Sequence, residues 1–391
     1  MGNENFFTKA VHAGEDREKH HGAVSVPIYT ASLFAFADAD EGIAIHNYEK
    51  PGYFYSRLGN PTQEALEKAV AELEGGEDSL ALASGMAAIS AAILTFASSG
   101  DHIVAPRSMY STTTNLLVYL KDNFGIDTTF VDATDIGAYR AAVRPETKLL
   151  WIETPSNPTV QITDIEAVVA IARGKGIATI ADNTFATAFN QRPLDLGIDI
   201  SVHSATKYLG GHSDLTAGVM IGKKEHIEKA RHGASKFFGG NIAPQVAWLV
   251  LRGIKTLALR MERHNENGLA LAEFLARHPK AVEVFYPGVE SHKNHDIARR
   301  QMKGFGGMLG LDVGTAEAAK NFVNNLKLCT FGTSLGGVET IVQPTALMTH
   351  ATISPEERSA AGISDGLLRI SVGIEDIRDI VADIERGLEK V

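Results

Sequence analysis

Between residues 80 and 221, short apolar runs alternate with segments whose apolar residues recur at helical spacing. The predicted strands are Leu80–Leu82, Ile103–Ala105, Thr128–Val131, Leu149–Ile152, Thr179–Ala181, Ser201–His203 and Val219–Ile221, and helices are predicted at Thr113–Asn123, Ile136–Val143 and Ile165–Arg173. This alternation predicts an α/β fold with a mostly parallel central sheet. In such folds, ligands bind beyond the carboxyl ends of the strands.

The sequence pattern of the second half of the chain predicts a smaller α/β unit. A long helical stretch from Pro244 to about Arg277 leads to a section that begins near Val282 and ends in a charged helix, Asp376–Lys390. The 391 residues, 44% of them hydrophobic, are enough for one large domain and a smaller one. The first 60 residues show little periodicity.

One lysine stands close after two hydroxyl residues and just before a Gly-Gly pair. This is Lys207, preceded by Ser204 and Thr206, and upstream Asp182 closes the apolar run that starts at Ile177. A lysine amine can condense with the aldehyde of pyridoxal phosphate (PLP), an aspartate can pair with the pyridinium nitrogen, and hydroxyls can bind the phosphate. The alternative for such a motif on its own is an ordinary surface lysine after a strand.

Two further motifs supply the other parts of a PLP site. Gly85 and Met86 stand where a helix should begin, and the free N–H groups there favour an anion such as phosphate. Tyr110 follows a predicted strand, so its ring could stack on the pyridine while its hydroxyl moves a proton. A turn before a packing helix and a packing tyrosine are the structural alternatives.

Arg369 lies inside the apolar run Leu367–Gly373 near the C-terminus. An arginine there is costly unless it meets a carboxylate, and its planar fork fits the α-carboxylate of an amino acid. The alternative is an internal salt bridge.

These motifs resemble those of the Cys/Met-metabolism family of PLP-dependent enzymes, and they occur in order along nearly the whole chain. The resemblance rests on Thr8–Gly14, Tyr53–Thr62, Ser84–Met86, Glu153–Pro158, Asp182–Thr184, Ser204–Lys207, Ser334–Glu339, Met348–His350 and Leu368–Asp376.

The resemblance implies a PLP fold of the aspartate-aminotransferase type (fold type I) and a homotetramer of two catalytic dimers. It implies that residues 1–60 form an arm against a neighbouring subunit, residues 61–256 the PLP-binding large domain and residues 257–391 the small domain. Lys207 would carry the cofactor, while Tyr55 and Arg57 would reach the phosphate of the neighbouring subunit. Asn157 and Ser334 would help Arg369 to hold the substrate carboxylate.

Composition excludes several other classes of protein. The formal net charge of −10 argues against a nucleic-acid partner, for which a basic patch is expected. The single Cys329 predicts a reducing, cytoplasmic setting, and no apolar run reaches the length of a membrane span. His12, His20 and His21 lack the spacing of a ligand set, so we expect a solvated loop and no metal site.

The family resemblance predicts γ-elimination on methionine or homocysteine, giving 2-oxobutanoate, ammonia and a thiol. Members that act on cystathionine generally carry an arginine five residues after the stacking tyrosine, where this chain has Asn115. Sulfhydrylases commonly show Asn-Leu-Gly-Asp where this chain has Ser334-Leu-Gly-Gly337.

Three alternatives remain open. Methionine γ-lyases usually have a cysteine where this chain has Thr112, and Ser111–Leu117 resembles some O-succinylhomoserine sulfhydrylases. γ-Replacement on an O-acetyl- or O-succinylhomoserine is therefore the runner-up. Cystathionine γ-lyase or γ-synthase activity, or PLP binding without turnover, are the further alternatives.

Overall fold

The computed structural model describes residues 5–349, 351, 354, 356, 358 and 361–391. Its larger sheet has seven strands in the order β1-β7-β6-β5-β4-β2-β3. These strands are β1 (Asp78–Leu82), β2 (His102–Pro106), β3 (Asp127–Val131), β4 (Thr147–Glu153), β5 (Ala178–Asp182), β6 (Ile200–His203) and β7 (Gly218–Gly222). Every strand predicted between residues 80 and 221 lies within one of them, so these predictions are confirmed.

The larger sheet is mostly parallel, as predicted. Strands β3, β2, β4, β5 and β6 pair in parallel, whereas β7 pairs antiparallel with both β6 and β1. Strands β2, β6 and β7 are buried at every residue. Continuous burial is expected for strands that have helices on both faces, and here it includes the polar residues His102, Ser201 and His203 of β2 and β6.

The described part of the chain has eleven α-helices up to Ile254, and some of them cover the two faces of the larger sheet. The eleven helices are α1 (Phe6–His12), α2 (Ala39–His46), α3 (Pro61–Glu74), α4 (Gly85–Phe96), α5 (Ser111–Phe124), α6 (Ile136–Ala142), α7 (Ile165–Ala172), α8 (Thr187–Asn190), α9 (Lys224–Ala230), α10 (Lys236–Phe238) and α11 (Pro244–Ile254). A π-helical turn, Arg231–Ser235, joins α9 to α10. Helices α3 and α11 share one apolar core with β7, and α4 and α5 share another with β2 and β6.

A second sheet of five strands follows, in the order β10-β11-β12-β9-β8. Its strands are β8 (Glu283–Phe285), β9 (Met308–Asp312), β10 (Thr330–Phe331), β11 (Ile341–Pro344) and β12 (Leu367–Ser371), and its helices are α12 (Leu257–Leu275), α13 (His295–Gln301), α14 (Ala316–Asn324) and α15 (Ile377–Leu388). This is the predicted smaller C-terminal α/β unit, and β12 lies at its centre.

The predicted helical stretch after Pro244 is two helices rather than one. Helix α11 ends at Ile254 and α12 begins at Leu257, with Lys255 and Thr256 between them. The Arg260 guanidinium donates to the carbonyl oxygen of Gly253 at 2.7 Å, and this contact satisfies the end of α11.

The N-terminal segment packs only partly on the rest of the chain. Ala10, Ala13 and Val26 are buried with α3, whereas Val24, Leu33 and Ile43 are largely exposed (70%, 65% and 58%). His20 is buried and its Nδ1 lies 3.3 Å from the Tyr29 hydroxyl, so the expectation of a solvated loop is wrong for this residue.

Within the described ranges, no group of three or more His, Cys, Asp or Glu side chains is placed to hold a metal ion. In the same part of the chain, no helix is both long enough and apolar enough to cross a bilayer.

Candidate active site

A cavity of about 360 Å³ opens at the carboxyl ends of β4, β5 and β6, and residues of the second α/β unit, among them Ser334 and Arg369, complete its lining. Its lining contains every predicted site residue except Tyr55 and Arg57: Gly85, Met86, Tyr110, Asn157, Asp182, Ser204, Thr206, Lys207, Ser334 and Arg369. Motifs that are up to 284 positions apart in the chain, at Gly85 and Arg369, therefore surround one space.

Lys207 follows β6 and its amine faces this cavity. Burial, with a contribution from the nearby Arg369 cation, lowers the pKa of the Lys207 amine to about 8. The amine donates a hydrogen bond to the Ser334 hydroxyl at 2.6 Å. An amine with this pKa is partly neutral near physiological pH, which is the form that attacks an aldehyde.

Asp182 ends β5 and presents a carboxylate to the cavity. Its Oδ1 accepts bonds from the Thr184 amide at 3.0 Å and from the Thr184 hydroxyl at 2.5 Å. No donor among the described residues bonds Oδ2. Burial raises the pKa of Asp182, and a cation placed against Oδ2 would offset that cost.

The first turn of α4, with its free backbone N–H groups, faces the cavity. The Ser84 hydroxyl caps the helix by accepting from the Ala87 amide at 3.1 Å. The N–H groups of Gly85 and Met86 have no acceptor within the helix. A Cβ on Gly85 would lie 2.9 Å from the Ser204 hydroxyl oxygen, so only glycine lets Ser204 approach the helix end this closely.

Thr206 carries the second hydroxyl predicted for the phosphate, and it could donate to a phosphate only by releasing its bond to the Ala217 carbonyl. It exchanges hydrogen bonds with the Ala217 backbone, donating to the carbonyl at 3.1 Å and accepting from the amide at 3.0 Å. These two bonds fix the turn that leads into Lys207.

Arg369 lies on β12 and is buried, with only 5% of its surface exposed. It donates to Asn157 Oδ1 at 3.0 Å, to the Ser334 carbonyl at 2.8 Å and to Gln343 Oε1 at 2.7 Å. Every one of these acceptors is neutral. Its Nε and the Gln343 Nε2 have no partner among the described residues, and burial lowers the pKa of Arg369 to about 10. A carboxylate in the cavity would satisfy this uncompensated cation.

Tyr110 stands at the N-terminus of α5, where its backbone N–H is bound by the Glu153 carboxylate at 2.9 Å. The side chain lines the cavity and is 38% exposed, so one part of the ring is open to a ligand.

The donor set fits pyridoxal phosphate. The cavity offers an amine for the aldehyde, a carboxylate oxygen for the ring nitrogen, and a helix end with two hydroxyls for the phosphate. Arg369 and Asn157 remain for the carboxylate of an amino acid.

Comparisons with known proteins support this assignment. Residues 7–389 match the family model described as Cys/Met metabolism PLP-dependent enzyme. The chain is 44% identical over 387 residues to an L-methionine gamma-lyase of Fusobacterium nucleatum subsp. nucleatum, with 98% of each chain covered.

The chain belongs to the Cys/Met-metabolism family of PLP-dependent enzymes. Pyridoxal phosphate is therefore its cofactor, and the fold is that of the fold-type-I PLP enzymes.

The similar proteins of the family carry more than one activity name. A cystathionine gamma-lyase of Bacillus subtilis is also 44% identical, with 98% of this chain and 99% of the relative covered. The crystal structure of cystathionine gamma-lyase from Lactobacillus plantarum complexed with L-serine superposes with a TM-score of 0.93 at 40% identity, covering 99% of each chain. Family membership alone therefore leaves the substrate open.

Tyr55 and Arg57 do not line the cavity of their own chain. Tyr55 is 45% exposed, and Arg57 lies 5.5 Å from the centre of its ring. Arg57 donates to the Lys236 carbonyl at 2.9 Å. These two residues thus stand apart from the site that the other predicted residues form.

Sequence reasoning assigned no role to Glu153 and Gln343, which contact Tyr110 and Arg369. Glu153 was noted only as part of a motif, although it ends the apolar run Leu149–Ile152 and so follows the same strand-end pattern as Asp182. Gln343, which holds Arg369, carries no such signal, because it lies inside strand β11.

Asn115 differs from expectation in its position. Asn115, expected at the distal end of the substrate pocket, is exposed on α5 and does not line the cavity. Its side chain is carried away from the cavity by the turn of the helix. His350, in the motif after Met348, lies outside the described residues.

Proposed function

We propose that this protein catalyses PLP-dependent γ-elimination on methionine or homocysteine. The observation that carries the proposal is the charge of the cavity lining. Among its described residues, Lys207 and Arg369 are the only cations. Arg369 is suited to the α-carboxylate, which leaves no cation for a second carboxylate such as that of cystathionine. The name of the F. nucleatum relative agrees with this substrate class.

The cofactor, when bound, supplies an aldehyde that links to the substrate nitrogen and a ring that accepts the electron pair left at Cα. Asp182 holds the proton on the ring nitrogen, and the helix end at Gly85 and Met86, with Ser204 and Thr206, binds the phosphate. Arg369, supported by Asn157 and Ser334, holds the substrate carboxylate and so fixes the direction of the Cα–H bond.

Lys207 and Tyr110 are the proposed proton-transfer groups. The neutral Lys207 amine takes the Cα proton, because it lines the cavity and its pKa is lowered to about 8. The Tyr110 hydroxyl donates a proton to the departing sulfur. With water, the balanced products from methionine are 2-oxobutanoate, ammonia and methanethiol.

γ-Replacement on an O-acetyl- or O-succinylhomoserine is the second candidate. The motif Ser111–Leu117 favours it, because this stretch at the start of α5 resembles that of some sulfhydrylases. In that reaction the acetate or succinate leaves Cγ, and a thiol or sulfide adds to the same carbon.

We also propose that the active enzyme is a cytoplasmic homotetramer. The exposed Tyr55 and Arg57 would serve the phosphate of a neighbouring subunit, and the apolar surface at Val24, Leu33 and Ile43 would be covered there. Residues 1–60 would be the arm, 61–256 the large domain and 257–391 the small domain.

A product assay tests the proposed activity. The purified holoenzyme is incubated separately with methionine, homocysteine, cystathionine, and O-acetylhomoserine plus sulfide, and 2-oxobutanoate and thioether or thiol products are quantified. We expect 2-oxobutanoate from methionine and homocysteine in equimolar amount with the released thiol. Homocysteine formed from O-acetylhomoserine and sulfide, without 2-oxobutanoate from methionine, would assign γ-replacement instead.

A further inference from the structure

Glu153 is a buried carboxylate of the cavity lining to which the mechanism above gives no role. It ends β4, has 4% of its surface exposed, and stands opposite Asp182 in the register of β4 and β5. No lysine, arginine or histidine in the described part of the chain forms an ion pair with it. A buried carboxylate without a counter-ion is costly, so its hydrogen bonds must offset that cost.

All the hydrogen bonds that Glu153 accepts come from backbone amides of two loops. Oε2 accepts from the Tyr110 amide at 2.9 Å, and Oε1 accepts from the same amide at 3.1 Å. Oε1 also accepts from the Asn157 amide at 2.8 Å. One carboxylate thus ties the loop after β2 to the loop after β4.

Each of these loops presents a different part of the site. The Tyr110 ring is proposed to stack on the cofactor, and its hydroxyl is the proposed proton donor. Asn157 carries the amide oxygen that receives the Arg369 guanidinium at 3.0 Å. The chain of contacts from Tyr110 through Glu153 and Asn157 to Arg369 therefore fixes the distance between the proton donor and the carboxylate-binding group.

We propose that Glu153 is a positioning residue, which sets the separation of Tyr110 from the Asn157–Arg369 pair by holding both backbone amides. This inference rests on the proposed function of the site. Burial and the neighbouring Asp182 raise the pKa of Glu153 well above its usual range, in keeping with a carboxylate that has no cation beside it. A competing role is purely electrostatic: Glu153 would add negative charge near the ring nitrogen.

Two conservative variants separate these roles. Glu153→Gln keeps the length of the side chain, but either orientation of its amide sets an NH₂ group against a backbone N–H that the carboxylate now accepts. Glu153→Asp keeps the charge and withdraws it by roughly 1.5 Å, one carbon–carbon bond. Bonds of 2.8–3.1 Å would then be lost unless the backbone moved. If Glu153 is a positioning residue, both variants should therefore have altered KM and kcat.

Asp383 offers a control for the loss of backbone-amide contacts by a buried carboxylate. It has 2% of its surface exposed and accepts from the amides of Lys327, Leu328 and Cys329 at 2.9–3.0 Å, outside the cavity lining. Unlike Glu153, it also forms an ion pair with Arg386. Asp383→Asn should lower the melting temperature without changing how the remaining folded enzyme binds its substrate.

The measurements are made on wild-type and variant holoenzymes with methionine. Steady-state assays give KM and kcat, and circular dichroism in the visible region, per bound cofactor, reports how the cofactor ring is seated. We expect both Glu153 variants to raise KM and lower kcat, each by about tenfold, the effect of losing one charge-assisted hydrogen bond. The cofactor ellipticity should fall, whereas Asp383→Asn keeps the wild-type KM and ellipticity.

Two results would overturn the positioning role. If Glu153→Asp has wild-type constants while Glu153→Gln does not, the charge is what matters. If both variants keep the wild-type KM and ellipticity and lose only stability, as the Asp383 control does, Glu153 is structural. A wild-type protein that binds no cofactor at Lys207 would instead refute the proposed function itself.

Discussion

The Lys207 amine and the Ser334 hydroxyl are joined by a hydrogen bond of 2.6 Å, which connects the loop after β6 with the loop between β10 and β11. Ser334 has a backbone φ of +81°, a conformation uncommon for a residue other than glycine. Its carbonyl oxygen accepts from Arg369 at 2.8 Å. One strained residue thus contacts both the Lys207 amine and the Arg369 guanidinium.

Replacing Lys207 should remove the chemistry. In Lys207→Ala we expect no turnover and no visible absorption band of lysine-bound cofactor, because no other amine among the described residues lines the cavity. The exposed Lys175→Ala is the control and should behave as the wild type. Absorption spectra and borohydride trapping with peptide mapping check this, and a trapped adduct on another lysine of the wild type would refute the assignment.

The lowered pKa of Lys207 predicts how cofactor capture depends on pH. Only the neutral amine attacks the aldehyde, and burial moves the pKa of this amine from 10.5 down to about 8. The rate at which apoprotein captures pyridoxal phosphate should therefore rise with pH and level off above about 8. Arg369→Met removes a nearby cation and should shift the midpoint to higher pH. Stopped-flow absorbance gives the midpoint, and a wild-type value near 10.5 would contradict the burial of this amine.

Subunit mixing tests the position of Arg57. Arg57→Ala should weaken cofactor affinity if the guanidinium pairs with a phosphate in the neighbouring subunit. Mixing it with Lys207→Ala protein should restore activity, because hybrid dimers then contain sites with both residues intact. No recovered activity despite subunit exchange, verified by mass spectrometry, would place both residues in the site of one chain.

Arg369 should govern substrate affinity. Arg369→Lys loses the planar fork, and with it the contacts to Asn157 and Gln343, so we expect kcat/KM to fall by roughly a hundredfold, mainly through KM. Arg260→Lys is a suitable control, since Arg260 is equally buried but bonds the carbonyls of Tyr208 and Gly253 and does not line the cavity. Arg260→Lys should lower stability and leave KM unchanged. A similar KM in Arg260→Lys and Arg369→Lys would refute the role of Arg369 in substrate binding.

Much of the fold could be predicted because the strands contain short apolar runs, such as Ile103–Ala105 and Leu149–Ile152. Asp182 was located because it closes such a run, and strand-end residues of a parallel sheet converge at one edge. Lys207 was located by the hydroxyl residues before it and the Gly-Gly pair after it. The role of Glu153 could not be predicted, because its partners are backbone amides that leave no mark in the sequence.

Other features depend on how chain segments are placed in space. The break between α11 and α12 depends on a contact from Arg260, which lies beyond it in the chain. The exposure of Asn115 depends on which way α5 turns from Tyr110. The role proposed for Tyr55 and Arg57 came only from the family resemblance, because no property of one chain identifies a contact with another.

The proposed preference for methionine or homocysteine over cystathionine rests on the two cations among the described residues of the cavity lining, Lys207 and Arg369. Cystathionine brings a second carboxylate, and burying it without a cation costs several kcal/mol, on the order of a hundredfold or more in rate. Methionine and homocysteine carry no such group.

The most direct test is to measure kcat/KM of the wild-type holoenzyme for methionine, homocysteine and cystathionine under the same conditions, by the formation of 2-oxobutanoate. We expect kcat/KM for methionine or homocysteine to exceed kcat/KM for cystathionine by roughly a hundredfold. Cystathionine cleaved as fast as or faster than both shorter substrates would contradict it, and would show that the assembled site has a further carboxylate partner.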